Sequence, residues 1–237
     1  MQKNNIHRMT VLAMLVALGV VISPILRVEG MCPMAHFINI TCSVLLGPGY
    51  SLLCAVLIGI LRMTFMGIPP LALTGAVFGA FLSGVLYRVS GGRMIYAVLG
   101  EIIGTGIIGA VASYPVMAGL MGRTGLSWLF YVPSFICGTL IGGSIAFLFL
   151  KSLNRARLLT KLQQSLGAQV LERPGNPAAD SMGIAAVGIL VFVAVFVLMK
   201  NFMHLTGVLT IGIPAAAFLL VELVAAAYFA HSALHRA

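Results

Sequence analysis

The sequence predicts an all-α polytopic membrane protein, and three observations carry that expectation. Of its 237 residues, 60% are hydrophobic and only 8% are charged, whereas a soluble domain carries about 25% charged residues. The mean hydropathy is +1.09. The apolar residues fall in unbroken runs of span length, not in the short alternating segments of a transmembrane barrel. At about 20 residues per spanning helix, the chain has room for about eight spans and almost no extramembrane domain.

The elements follow in order. A first span runs over 9–26 and ends at Arg27-Val28-Glu29-Gly30. A short apolar segment, 36–46, stops at Gly47-Pro48-Gly49, a helix-breaking triplet. A third span covers 50–66, with Arg62 near its end, and Gly67-Ile68-Pro69-Pro70 breaks it. The fourth covers 71–87, and a tight loop containing Gly91-Gly92 leads to a fifth over 94–120. The sixth runs 128–150. Composition then shifts: Lys151, Arg155, Arg157, Lys161 and Arg173 accompany Leu158, Leu162, Leu166 and Val170, which recur at every fourth position. That spacing predicts a basic amphipathic helix on the membrane surface. Pro174-Gly175-Asn176-Pro177 forms a linker, and two more spans follow, 182–199 and 206–230. The organisation expected is a six-helix membrane domain over 1–150, the surface helix and linker over 151–181, and a two-helix extension over 182–237.

Charge sets the orientation. With the N-terminus in the cytoplasm, inner segments hold Lys3, Arg8, Arg88, Arg93, Lys151, Arg155, Arg157, Lys161, Arg173 and Arg236, ten of the 14 basic residues. Only Arg27, Arg62, Arg123 and Lys200 fall outside, as the positive-inside rule requires. The net charge of +9 is therefore topology, and no nucleic-acid partner is expected. The bias survives only if 36–46 counts as a full element. That segment reaches about 16 Å, so it is a partial span or borrows residues from its neighbours. Both termini are expected in the cytoplasm of a multi-pass cell-membrane protein.

Catalytic signals are missing. The chain has no His-Glu-x-x-His pair and no Gly-x-x-x-x-Gly-Lys-Ser/Thr phosphate loop. Asp180 is its only aspartate. Its four cysteines, Cys32, Cys42, Cys54 and Cys137, lack metal-ligand spacing and read as small hydrophobes. No enzyme activity, cofactor or metal is expected. Polar groups at membrane depth are costly and mark functional sites. Arg27, Glu29, His36, Asn39, Arg62, Tyr114 and Trp128 all fall toward the outer face, which suits a mostly apolar pocket with a few placed polar groups. For Tyr114, Trp128, Asn39 and Arg62 an interfacial belt is the alternative, and for His36 an interfacial or packed histidine. Glu101 lies about 10 Å inside the fifth span, with Tyr114 about 20 Å further along. It floors a deep cavity or pairs with a basic group such as Arg88. Glu222 in the last span poses the same choice.

Small residues recur at four-residue spacing: Ala13 and Ala17, Gly75, Gly79 and Ser83, Gly100 and Gly104, Gly138 and Gly142. Such faces let helices pack closely, within the chain or against a partner.

The run Cys32-Pro33-Met34-Ala35-His36-Phe37-Ile38-Asn39, continuing to Leu45-Leu46-Gly47-Pro48-Gly49-Tyr50, resembles the ThiW family. So does Gly100-Glu101-Ile102-Ile103-Gly104-Thr105-Gly106-Ile107-Ile108-Gly109-Ala110 with Ser113-Tyr114-Pro115. The resemblance covers about residues 5 to 150. It implies the substrate-binding S component of an energy-coupling factor transporter: a six-helix bundle with an outward site gated by the loop after the first helix. Its cargo is then a small molecule, the thiazole precursor of thiamine (hydroxyethylthiazole), bound by residues among His36, Asn39, Arg62, Glu101, Tyr114 and Trp128. It also implies a transmembrane coupling subunit and two cytoplasmic ATPase subunits as partners, besides membrane lipid. Ala13 and Ala17 match the first-helix motif that docks the coupling subunit. The alternatives are another small vitamin precursor or thiamine itself as cargo, or a structural membrane protein. The surface helix and the last two spans depart from the family pattern.

Overall fold

The computed structural model describes residues 2–25, 27, 31–171, 176–201, 203 and 207–234. Glu29, Arg173, Pro174, Gly175, His204, His235 and Arg236, and the side chain of Lys3, lie outside the described residues. The chain is all-helical and forms two compact units, Met1–Glu172 and Arg173–Ala237.

In the first unit the helices are α1 (Gln2–Ile22), α2 (Pro33–Leu46), α3 (Pro48–Met66) and α4 (Leu71–Val89). A continuous helix, α5 (Met94–Leu120), follows. Then come α6 (Val132–Arg155) and the short α7 (Leu158–Ser165). The second unit is a hairpin of α8 (Pro177–Asn201) and α9 (Leu209–Leu234). Among the described residues, all of these except α2 and α7 are long and apolar enough to cross a bilayer. The protein is a multi-pass membrane protein.

Helix α2 is the short apolar segment, and it borrows Pro33–Ala35 from the preceding loop. Proline suits that first turn because its missing N–H is not needed there. At 14 residues it rises about 21 Å, less than a bilayer core. It sits at the centre of the bundle, against α1, α3, α4, α5 and α6, and 12 of its residues are buried. A single residue, Gly47, joins it to α3. Gly47 has φ +94°, a conformation that costs glycine little, and the Arg88 guanidinium fills the space a Cβ would need.

The small-residue faces of α4 and α5 pack against each other. A Cβ on Gly104 would meet the backbone of Phe78 and Gly79, one on Gly109 that of Gly75, and one on Gly100 that of Leu82 and Ser83. These glycines are intramolecular contacts. Gly138 and Gly142 on α6 serve α2 in the same way, because Cβ atoms there would press on Met31, Pro33 and His36. By contrast, Ala13 and Ala17 point away from the bundle. Gly104→Val is expected to wedge α5 off α4. Overpacking of this kind costs about 1–3 kcal/mol, and a lower melting temperature in detergent would register it.

α5 winds as a π-helix over Ile102–Gly109 and again over Val116–Leu120. The second stretch follows Pro115, which lies inside the helix and cannot donate to it. π-Helical turns are rare and concentrate at functional sites.

The basic stretch after residue 150 differs from the expected single surface helix. Lys151–Arg155 finish α6, and Arg157, at φ +57°, breaks the chain before α7. That turn shifts the helical phase. Leu159, Gln163 and Leu166 are buried, while Leu158 and Leu162 are exposed. Gln163 donates to the Val44 carbonyl at 2.9 Å and to the Tyr87 hydroxyl at 3.3 Å. The Arg8 guanidinium donates to the carbonyls of Leu166 and Gly167. α7 is thus tied to the same end of the bundle as the α1 N-terminus.

Cys42 and Cys54 are buried, whereas Cys137 is exposed on α6. In the hairpin, Phe192 meets Phe218 edge-on with ring centres 6.5 Å apart. Glu222 lies against Gly188, and its buried Oε1 has no hydrogen-bond partner among the described residues.

Candidate functional site

At the other end of the first unit, away from the α1 N-terminus, the bundle encloses a cavity of about 370 Å³. That end is built from the stretch after α1, the α3–α4 connection and the segment after α5. The N-terminal end of the short α2 lines the cavity through Cys32, Ala35 and His36. Ile68, Leu71, Ala72, Ala76 and Phe135 supply apolar walls, and Arg27, Arg62, Arg123, His36 and Thr105 supply the polar groups. Cys32 also lines it and donates its thiol to the Ser23 carbonyl at 3.0 Å.

Beneath the cavity lies a buried polar network. Glu101 is 0% exposed. Its Oε1 meets His36 Nδ1 at 2.8 Å and accepts from Asn39 Nδ2 at 3.0 Å and Thr105 Oγ1 at 3.0 Å. Buried polar groups are tolerated only when bonded in this way. Three donors from two helices converge on one carboxyl oxygen, which fixes α2 against α5. Nδ1 is engaged by Glu101, so Nε2 is the histidine atom left to a ligand. Glu101 Oε2 has no partner among the described residues and faces Gly79, where a Cβ would come within 2.9 Å of it. A side chain on Gly79 would therefore displace the carboxyl.

Arg62 is 3% exposed. Its Nε has no hydrogen-bond partner, and its guanidinium forms no ion pair among the described residues. Among those residues no cluster of His, Cys, Asp or Glu could hold a metal ion.

The sequence profile described as thiamine-precursor transporter protein (ThiW) matches residues 9–156, well over half of the chain. The chain belongs to the ThiW family. It is accordingly a component of a thiamine-precursor transporter, and its substrate is a small molecule. No curated protein and no solved structure matches it significantly. The ThiW match covers the first unit up to the end of α6 and stops short of α7 and the hairpin.

Within this ThiW bundle the expected residues separate into groups. His36 and Arg62 line the cavity. Asn39 and Glu101 are joined directly beneath it. His36 and Asn39 both reach Glu101. Glu101 pairs with them and not with Arg88, which lies over Gly47. Tyr114 and Trp128 are not among the cavity-lining residues. They pack on each other with ring centres 4.5 Å apart, and Trp128 is exposed. Thr105 was the member that sequence reasoning missed. Its signal was its place one helical turn after Glu101, on the same face of α5.

Proposed function

We propose that this ThiW-family chain is the S component of an energy-coupling factor transporter and that its cargo is hydroxyethylthiazole or a near relative. The observation that carries the reading is the cavity: apolar walls above a buried His36–Glu101–Asn39 network. A small heteroaromatic ring with one polar arm matches that division of surface. The ring is covered by Phe135, Leu71 and Ile68, and the arm reaches His36 Nε2 or Thr105 Oγ1.

The cavity opens to the exterior if the positive-inside count holds, with both termini in the cytoplasm. Uptake needs an energy source. The chain has no Gly-x-x-x-x-Gly-Lys-Ser/Thr phosphate loop, and in this reading two cytoplasmic ATPases supply the energy through a transmembrane coupling subunit. The outward face of α1 supports docking of that subunit. An apolar groove there is lined by Val11, Met14, Leu15, Ala17, Leu18 and Val21, with Ala13 exposed beside it.

Titration of the purified protein with the thiazole, thiamine and the pyrimidine precursor tests the cargo. Saturable binding strongest for the thiazole is expected. Stronger binding of thiamine would reassign the substrate, and no binding of any of the three would overturn the thiamine-precursor cavity.

A further inference from the structure

The proposed cargo, hydroxyethylthiazole, is neutral, yet the acidic and basic side chains among the described residues that line the cavity are all arginines. Three arginines, Arg27, Arg62 and Arg123, line it, and no described carboxylate does. Among the described residues, the acid beneath it is Glu101, with one oxygen bonded to His36, Asn39 and Thr105.

Arg62 is the informative member. It is 97% covered, since only 3% of it is exposed. It lines the cavity, its Nε is unpartnered, and no described acid pairs with it. Removing a guanidinium from water without a counter-charge is expensive. A buried cation facing an open space is a place that an anion from outside can complete. Helix α2 adds to the effect. Cys32, Ala35 and His36, at its N-terminal end, line the cavity, and the positive end of a helix dipole favours negative charge. The planar fork of the Arg62 guanidinium matches two oxygens of a carboxylate or phosphate.

We propose that the preferred ligand carries an oxyanion on the arm of its ring, a carboxylate or a phosphate monoester, and that Arg62 anchors it. This rests on the thiazole reading above and names the chemical class of the cargo within it. The apolar wall takes the ring, and the fork of Arg62 takes the charged end.

The test compares three probes on the purified full chain: hydroxyethylthiazole, its phosphate monoester, and the thiazole in which the terminal CH2OH is oxidised to a carboxylic acid. In the wild type at least one anionic probe is expected to bind about 10–100-fold more tightly than the neutral alcohol, as charge-assisted bidentate bonds warrant. Arg62→Gln is expected to erase that preference, so that in the variant the anionic probes bind no more tightly than the alcohol. Arg62→Lys is expected to keep part of the preference, because it retains charge and loses the fork. If Arg62→Gln does not fold, the wild-type ranking and the lysine variant decide.

Equal or weaker binding of both anions in the wild type overturns the proposal and leaves the thiazole reading standing. A preference that survives Arg62→Gln undiminished overturns the role of Arg62. If none of the three probes binds, the thiazole reading falls and this proposal falls with it.

Discussion

Glu101→Ala is expected to abolish ligand binding and to leave little folded protein. Alanine removes the one oxygen that serves His36, Asn39 and Thr105 and leaves three buried donors unmatched. Each unmatched buried donor costs about 1–3 kcal/mol. In bilayers a single interhelical hydrogen bond is worth only about 0.6 kcal/mol on average, so one lost bond would be survivable. Here the losses converge on a carboxyl with no exposure at all, and a sum of about 2–4 kcal/mol is expected. Glu101→Gln separates packing from electrostatics. Its amide oxygen can accept the same three bonds, so the fold is expected to persist with thiazole affinity about tenfold lower. Thermal melting in detergent and ligand titration, run on both variants, check the pair. A stable Glu101→Ala with normal affinity would remove the network from the site.

The second large effect is expected on assembly. Ala17→Trp places an indole in the groove formed by Val11, Met14, Leu15, Leu18 and Val21. If this face receives the coupling subunit, the variant loses co-purification with it entirely, while thiazole affinity stays within about twofold of wild type. The two readouts are separable because no α1 residue lines the ligand cavity. Ala13→Trp, on the exposed surface beside the groove, is expected to act in the same direction. An undiminished complex in both variants would move docking elsewhere.

Much of the candidate site was legible in the sequence for one physical reason. A polar group inside an apolar run is costly unless something compensates it, so Arg62, Glu101, Asn39 and His36 stood out individually. Their connection was not legible. His36 and Glu101 stand 65 positions apart, and nothing in local spacing pairs them. Their relative depth depends on where α2 begins, and helix boundaries are the part of a sequence reading most easily missed. The phase of α7 escaped for a related reason. The repeat at Leu158, Leu162 and Leu166 pointed to one face. The left-handed turn at Arg157 and the hydrogen bonds of Gln163 selected another. Tyr114 and Trp128 stand out in the sequence by their place at the ends of two spans, but they pack on each other and are not among the cavity-lining residues.

The sequence by itself determined the membrane class, the order and approximate extent of the spans, and the ThiW motifs. It did so because span length and the exclusion of charge from lipid are properties of a segment taken alone. Tertiary structure decided which small-residue faces turn inward, how deep α2 sits, and which donors meet at Glu101. In a bilayer, lipid and protein interior are equally apolar, so no hydrophobic stripe announces which side of a helix packs. That choice is made by backbone fit, as where Gly104 meets Gly79. It is made also by buried polar groups that must find one another, as His36 and Glu101 do.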